Sequence, residues 1–298
     1  MRPILNKKPK RDAAKVAEIL MKKGTKPEEA EPIIARARMS DRLMKIYDTV
    51  DAFEIPYLTP NAIPSDIIIH KGASPKFFQQ TSEQELVKGC DLPTYYIKSH
   101  SGDGTMPPGN FDSVYGLLLD FKELFAKVGV GLKGTLADRL GLQYLRDRKG
   151  EYPMMAEYAH CGERNRQYQW YTPAIYEYRD ASNIVVTSIH QVKEDGTEKY
   201  ILQSELMALL RLMVMKSRRP EAVSHQIFPV LLISFRPYQI VIIEAYEDGK
   251  HFHVNYGEPI VMSEQVPPKE QDKRMKSVLG WAAARPCGKT ASYSDCPP

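Results

Sequence analysis

Residues 167–256 change period in a fixed order: strand, strand, helix, strand, strand. Gln167–Arg179 is strand-like. Asn183–Lys193 is a clearer strand, its β-branched residues running into Glu194-Asp195-Gly196. Tyr200–Lys216 carries the strongest helical pattern in the chain. Ile227–Phe235 and Gln239–Tyr246 alternate as strands. The second meets His251–Tyr256 through Asp248-Gly249, a dipeptide that suits a two-residue hairpin. A helix set between strands covers a sheet face, so this stretch predicts a mixed-sheet core over 150–262 and an α+β (mixed α/β) chain.

The region before it, 11–147, reads as mainly helical. Asp12–Lys23 is a short helix ended by Gly24. A second helix follows Thr25, with Pro27 in its first turn. Ser40-Asp41 divides that helix from a third, Arg42–Val50. Prolines 56, 60, 64 and 75 punctuate the next stretch, leaving a strand at Asp66–His70 and a brief helix at Ser82–Lys88. Ser99–Asn110 is a loop, and Phe111–Val128 and Leu136–Leu145 are helices. Residues 1–10 form a basic disordered arm. Residues 263–298 form a polar, largely disordered tail, with a weak helix at Lys269–Ala284.

With 43% hydrophobic residues in 298, the chain can bury a core. No run reaches the roughly 18 apolar residues that a membrane helix needs. The longest, Ile201–Met215, is broken by Gln203, Glu205 and Arg211. The first residues turn basic without an apolar stretch, unlike a secretory signal. The expectation is an intracellular protein, nuclear or cytoplasmic, without membrane contact. Residues 1–45 hold 13 Lys and Arg against 6 Asp and Glu, whereas the whole chain carries only +4. The basic character therefore belongs to the N-terminal part. Lys7, Lys8, Lys10 and Arg11 cluster there, as in a nuclear import signal or a phosphate-contacting arm. A nucleic acid or a protein is the expected partner.

Cysteines 90, 161, 287 and 296 make no CxxC pair and read as free thiols. His160-Cys161 lacks the second pair a zinc site needs. His251 and His253 share a strand face and could hold a metal, although surface histidines on a hairpin are commoner. Gly129–Gly134 spells GxGxxG, but a helix precedes it where a dinucleotide site needs a strand. Nucleophile elbow, HExxH and phosphate-loop motifs are absent, which argues against the commonest hydrolases, zinc proteases and NTPases.

Gln191 and Lys193 close the second strand on the face of Val185 and Ile189, with Val192 turned to the other side. A polar pair ending an apolar strand suits a site at a sheet edge. Metal-dependent phosphodiester cleavage uses hard oxygen ligands for Mg²⁺ and gains from a lysine beside the scissile phosphate. On these residues, roughly 167–236 resembles the PD-(D/E)xK nuclease superfamily. The resemblance implies a restriction-endonuclease-like core: a helix, a hairpin, a second helix and a further strand. It assigns Asp180 or Glu177 to the acid of the first hairpin strand and Gln191 with Lys193 to the (E/Q)xK pair. Glu205 becomes a carboxylate moved onto the helix, with Gln203 as the alternative helix residue. Glu177, Asp180 and Glu205 would then hold Mg²⁺, and Lys193, Gln191 and Glu205 would carry catalysis. Gln191 is neutral, however, so one ligand charge is lost. The leading reading is therefore a binding or regulatory protein on a degenerate nuclease-like core. The alternatives are an active Mg²⁺-dependent nuclease and a protein–protein adaptor. The runs Ile201–Leu206, Pro229–Ser234 and Glu244–Tyr246 also resemble fungal proteins of unknown function.

Overall fold

Every residue of Val230–Arg236 and Gln239–Glu247 is buried. Strands covered on both faces need a layer on each side. The structure, a computed structural model, supplies two helical layers around one mixed sheet. It describes residues 13–53, 57–88, 92–95, 111–129, 142–144, 168–192, 200–219, 224–263 and 265–296. In chain order the elements are α1 (Ala13–Lys22), α2 (Pro27–Asp51), β1 (Tyr57–Leu58), β2 (Ile67–Lys71), β3 (Phe78–Gln79), α3 (Glu83–Leu86), α4 (Phe111–Gly129), β4 (Leu142–Tyr144) and β5 (Tyr168–Tyr178). Then come β6 (Ile184–Val192), β7 (Ile201–Leu202), α5 (Gln203–Ser217), β8 (Val230–Arg236), β9 (Gln239–Glu247), β10 (Phe252–Tyr256), β11 (Ile260–Val261), α6 (Pro268–Ala282) and β12 (Arg285–Pro286).

The main sheet runs β2-β10-β9-β8-β6-β5-β4, with β11 added to β9. β6 pairs with β8 in parallel, as β10 does with β2, and the other neighbours are antiparallel. It follows that β2, β10, β8 and β6 all run the same way. Their ends at Lys71, Tyr256, Arg236 and Val192 meet at one edge, here called the C-terminal edge. The β5–β6 turn and the β9–β10 loop lie at the opposite edge.

Alternation sorts the side chains into two cores. Ile184, Val186, Val230, Leu232 and Val241 pack with Leu43, Ile46 and Val50 of α2 and Leu209 and Met213 of α5. Val185, Ile189, Leu231 and Ile233 pack with Leu118 and Phe121 of α4 and Met275, Val278 and Leu279 of α6. Each fully buried aliphatic side chain contributes about 1.5–3 kcal/mol. The α+β class expected from the sequence is what the chain adopts. None of the described helices is long and apolar enough to cross a membrane.

Ser40-Asp41 does not divide two helices, since α2 runs unbroken from Pro27 to Asp51. Both polar side chains find tertiary partners instead of competing for the local backbone. Arg218 Nε donates to Ser40 Oγ at 2.7 Å, and Ala13 N donates to Asp41 Oδ2 at 2.8 Å, at the start of α1. The mainly helical region 11–147 also supplies strands. β2 and β4 belong to the sheet, and α2 seals one of its faces. Where a helix was expected over Leu136–Leu145, Leu142–Tyr144 is instead a strand opposite Tyr176–Tyr178. The rest of that span lies outside the described residues.

The tail is the largest correction. α6 carries an apolar stripe that covers the second core. Gly280 allows it close in, because a Cβ there would stand 2.5 Å from Thr81 O. Beyond it, Arg285 and Pro286 pair with Gln79 and Phe78, and Thr290 O accepts Gln226 N and Ile227 N at 2.9 and 3.1 Å. A polar, Pro-containing segment thus docks through its backbone, with Tyr293 and Cys296 packed against the second core. The β9–β10 connection also differs: it spans Asp248–His251 rather than two residues, because Asp248 Oδ1 accepts Lys250 N and His251 N at 2.8 and 2.7 Å.

Candidate functional site

The first turn of α5 enters the sheet at its C-terminal edge, directly behind β7. Glu205 is the third residue of that turn, where a carboxylate meets the positive end of the helix dipole. Its Oε2 accepts Leu202 N at 2.9 Å, reaching back to the residue before the helix. Arg236, closing β8, grips the same carboxylate with two nitrogens, Nε to Oε1 at 2.9 Å and Nη2 to Oε2 at 2.5 Å. Ser234 Oγ donates to Oε1 at 2.5 Å. Glu205 and Arg236 are 0% and 1% exposed. Burial alone would raise the Glu205 pKa. Arg236, His190 and the Ser234 hydroxyl outweigh it and hold the carboxyl below its ordinary value. Burial likewise opposes the Arg236 charge, and Glu205 overcomes it, so the guanidinium pKa is raised. Both groups stay ionised.

His190 stands one layer along. Its Nε2 is 2.6 Å from Ser188 Oγ and its Nδ1 is 2.7 Å from Ser204 Oγ. The ring is fully enclosed, and burial pushes its pKa down to about 4 against the pull of Glu205. A neutral imidazole between two serines resembles a nucleophile–base pair by composition. Here Ser188 and Ser204 are themselves fully buried, so no substrate reaches them. The cluster fixes the junction of β6, β8 and α5. The outer rim holds accessible chemistry. Tyr57 stacks on Tyr200 at 5.8 Å, and Lys71 Nζ lies 5.5 Å from the Tyr200 ring centre. Lys71 and Tyr200 border a small hollow lined also by Ile69, Ile201 and Tyr256. Tyr256 OH and Arg236 both donate to Tyr200 O, at 3.2 Å each.

The residues expected from the sequence divide between the two edges. Gln191 lies on β6 opposite Gln169, at the C-terminal edge with Glu205. Lys193 lies outside the described residues, as do Lys7, Lys8, Lys10, Arg11 and the pair His160-Cys161. Glu177 pairs with Ile184 next to the hairpin turn, about 23 Å along β6 from Gln191. It is bound to Lys216 Nζ at 3.2 Å and to Arg219 at the far end of α5. Glu205 and Lys216 stand eleven positions apart on α5, about 16 Å along its axis. Asp180 is exposed in the β5–β6 turn. Glu177, Asp180 and Glu205 therefore do not assemble around one ion. The cause is antiparallel register: residues beside a hairpin turn cannot meet the strands' open ends. Gln203 does a different task from a catalytic one, its Nε2 donating to Val50 O and Phe53 O at 2.6 and 2.8 Å and so closing the end of α2.

Sequence reasoning passed over Arg236, Ser234 and His190. A signal was present: Ser188 and His190 alternate on β6 as Ser234 and Arg236 do on β8, and Ser188 pairs with Ser234. Among the described residues, one group of three candidate metal ligands lies close together, and it is at the other edge: Asp248, His251 and His253. No protein-family model, curated protein or solved structure matches this chain.

Proposed function

We propose that this chain is a binding or regulatory protein on a degenerate nuclease-like core, engaging nucleic acid without cutting it. With the short strands β4 and β7 set aside, the order α4, β5–β6 hairpin, α5, β8 supports a reading as the helix, hairpin, helix, strand series of a PD-(D/E)xK-like core. The carrying observation is the state of Glu205. It is the one proposed acid at the edge of Gln191, and Leu202, Ser234 and Arg236 already engage both its oxygens. A carboxylate so enclosed has no lone pair directed at a hydrated Mg²⁺ ion.

Nucleic acid is favoured by the basic N-terminal part and by the aromatic and cationic rim of Tyr57, Tyr200 and Lys71, a combination that stacks bases beside a phosphate contact. The test is fluorescence anisotropy with a labelled single strand and a duplex over a range of salt. Each phosphate contact adds about 0.7–0.9 to the logarithmic salt slope, so removing Lys7, Lys8, Lys10 and Arg11 is expected to flatten it by up to about four contacts. Equal slopes would remove the arm from the reading. Absence of binding at low salt would transfer the reading to a protein adaptor, which the exposed Ile19 and Met21 of α1, at 52% and 76%, favour.

A further inference from the structure

We infer that Asp248, His251 and His253, at the β9–β10 loop, form a binding site for a zinc-class transition-metal ion. This does not rest on the nuclease reading and concerns the opposite edge of the sheet. The ligand atoms of the three residues lie within 4.8 Å of one another, and all three side chains are half-buried. Two bonds of about 2.0–2.1 Å set at a tetrahedral angle place ligand atoms roughly 3.3–3.5 Å apart. Small side-chain rotations therefore bring the group onto one ion.

The loop is already shaped for it. Asp248 Oδ1 is held by Lys250 N and His251 N, which leaves Oδ2 facing His253 Nε2 at 2.9 Å. The two backbone amides turned toward Asp248 Oδ1 favour the charged form of its carboxylate. The His253 ring lies parallel to Tyr246 on one contact, at 4.9 Å, and to His70 on another, at 5.4 Å. Its Nδ1 stands 3.1 Å from His70 Nε2. In the metal-free chain His253 Nε2 faces Asp248 Oδ2; an ion would take the place of the proton between them, which leaves to solvent, while Nδ1 keeps its hydrogen bond to His70. That is the outer hydrogen bond that metal-bound histidines ordinarily make. Arg42 Nη1 donates to Gly249 O at 2.8 Å, anchoring the loop to α2.

The donor set selects the ion. Two imidazoles and one carboxylate suit zinc and its neighbours, whereas Mg²⁺ and Ca²⁺ prefer six or more oxygens. Three protein ligands leave a fourth position to water.

The test uses the full chain, stripped with chelator and titrated with Co²⁺ followed by visible absorption and with Zn²⁺ followed by calorimetry. One equivalent is expected, with the absorption of a four-coordinate Co²⁺ ion. His251→Ala, in the loop, is expected to abolish it while the metal-free melting temperature stays unchanged. His253→Ala and Asp248→Asn are expected to do the same to binding. His70→Gln should keep the stoichiometry and weaken binding about 10- to 100-fold. Failure of the stripped wild-type chain to bind, or unchanged binding in His251→Ala, would overturn the assignment.

Discussion

Glu205 and Arg236 meet in the protein interior with hydrogen-bonding groups on every side of the carboxylate. Removing one partner leaves the other charge buried alone, which costs about 3–5 kcal/mol. Glu205→Gln is therefore expected to lower unfolding free energy by that amount in urea titrations. Glu205→Leu combined with Arg236→Met should recover most of it, since no lone charge remains. A loss under about 1 kcal/mol for the single change would mean that the pair is not enclosed as described. His190 adds a pH dependence. An unfolded histidine titrates near 6.5, whereas burial holds His190 down to about 4. Between those values the unfolded chain binds a proton that the native protein refuses. The contribution is thus complete above pH 6.5 and is lost as pH falls toward 4. His190→Asn is expected to show a shallower fall in stability between pH 7 and pH 5 than the parent protein. Parallel curves would count against a neutral buried ring. At this scale the sequence was legible in part. Strand alternation placed Gln191 on a face, but face and register are separate facts. The distance of Glu177 from Gln191 could have been read from the hairpin itself, because only residues equally far from the turn pair. The partnership of His190 and Arg236 could not, since it depends on β6 and β8 being parallel neighbours.

The elements with long, clean periods, β5, β6, α5, β8 and β9, stand where alternation and helical spacing put them, within a few residues at each end. Short elements defeated the same reasoning. β4 has three residues and β12 has two, too few to show a period, and each exists only because a neighbouring strand offers it hydrogen bonds. The unbroken α2 was obscured by Ser40-Asp41, whose partners lie far off in the sequence on Arg218 and Ala13. The docked tail carries a measurable consequence. Truncation after Ala284 removes the β12–β3 pair, the Thr290 carbonyl that binds Gln226 and Ile227, and the Tyr293 ring packed on Gly249. About 1 kcal/mol moves the melting temperature of a chain this size by roughly 2–4 °C. A fall of at least about 4 °C is expected in calorimetry. An unchanged transition would show that the segment contributes nothing to the fold.

Across the whole molecule, the N-terminal helices and the sheet are one unit. Arg36 donates to the Arg219 carbonyl at 3.1 Å beyond the end of α5, and Arg42 is paired with the buried Glu247 of β9. Such long-range charged contacts hold α2 against both α5 and the sheet. The result is an α+β core in which buried Glu205 is paired with Arg236 and buried Glu247 with Arg42. Catalysis by a metal nuclease would require carboxylates that converge and remain open to an ion. Glu177 and Glu205 lie at opposite ends of α5, and each is engaged by arginine or lysine. The most direct measurement is incubation of the full chain with end-labelled single- and double-stranded DNA and RNA, with Mg²⁺ or Mn²⁺. Cleavage is read on denaturing gels and binding by anisotropy in the same samples. The expected result is bound but intact strands at every metal concentration. Cleavage that requires the divalent ion, stops with chelator and is lost in Lys193→Ala would contradict the proposal of a non-cutting core.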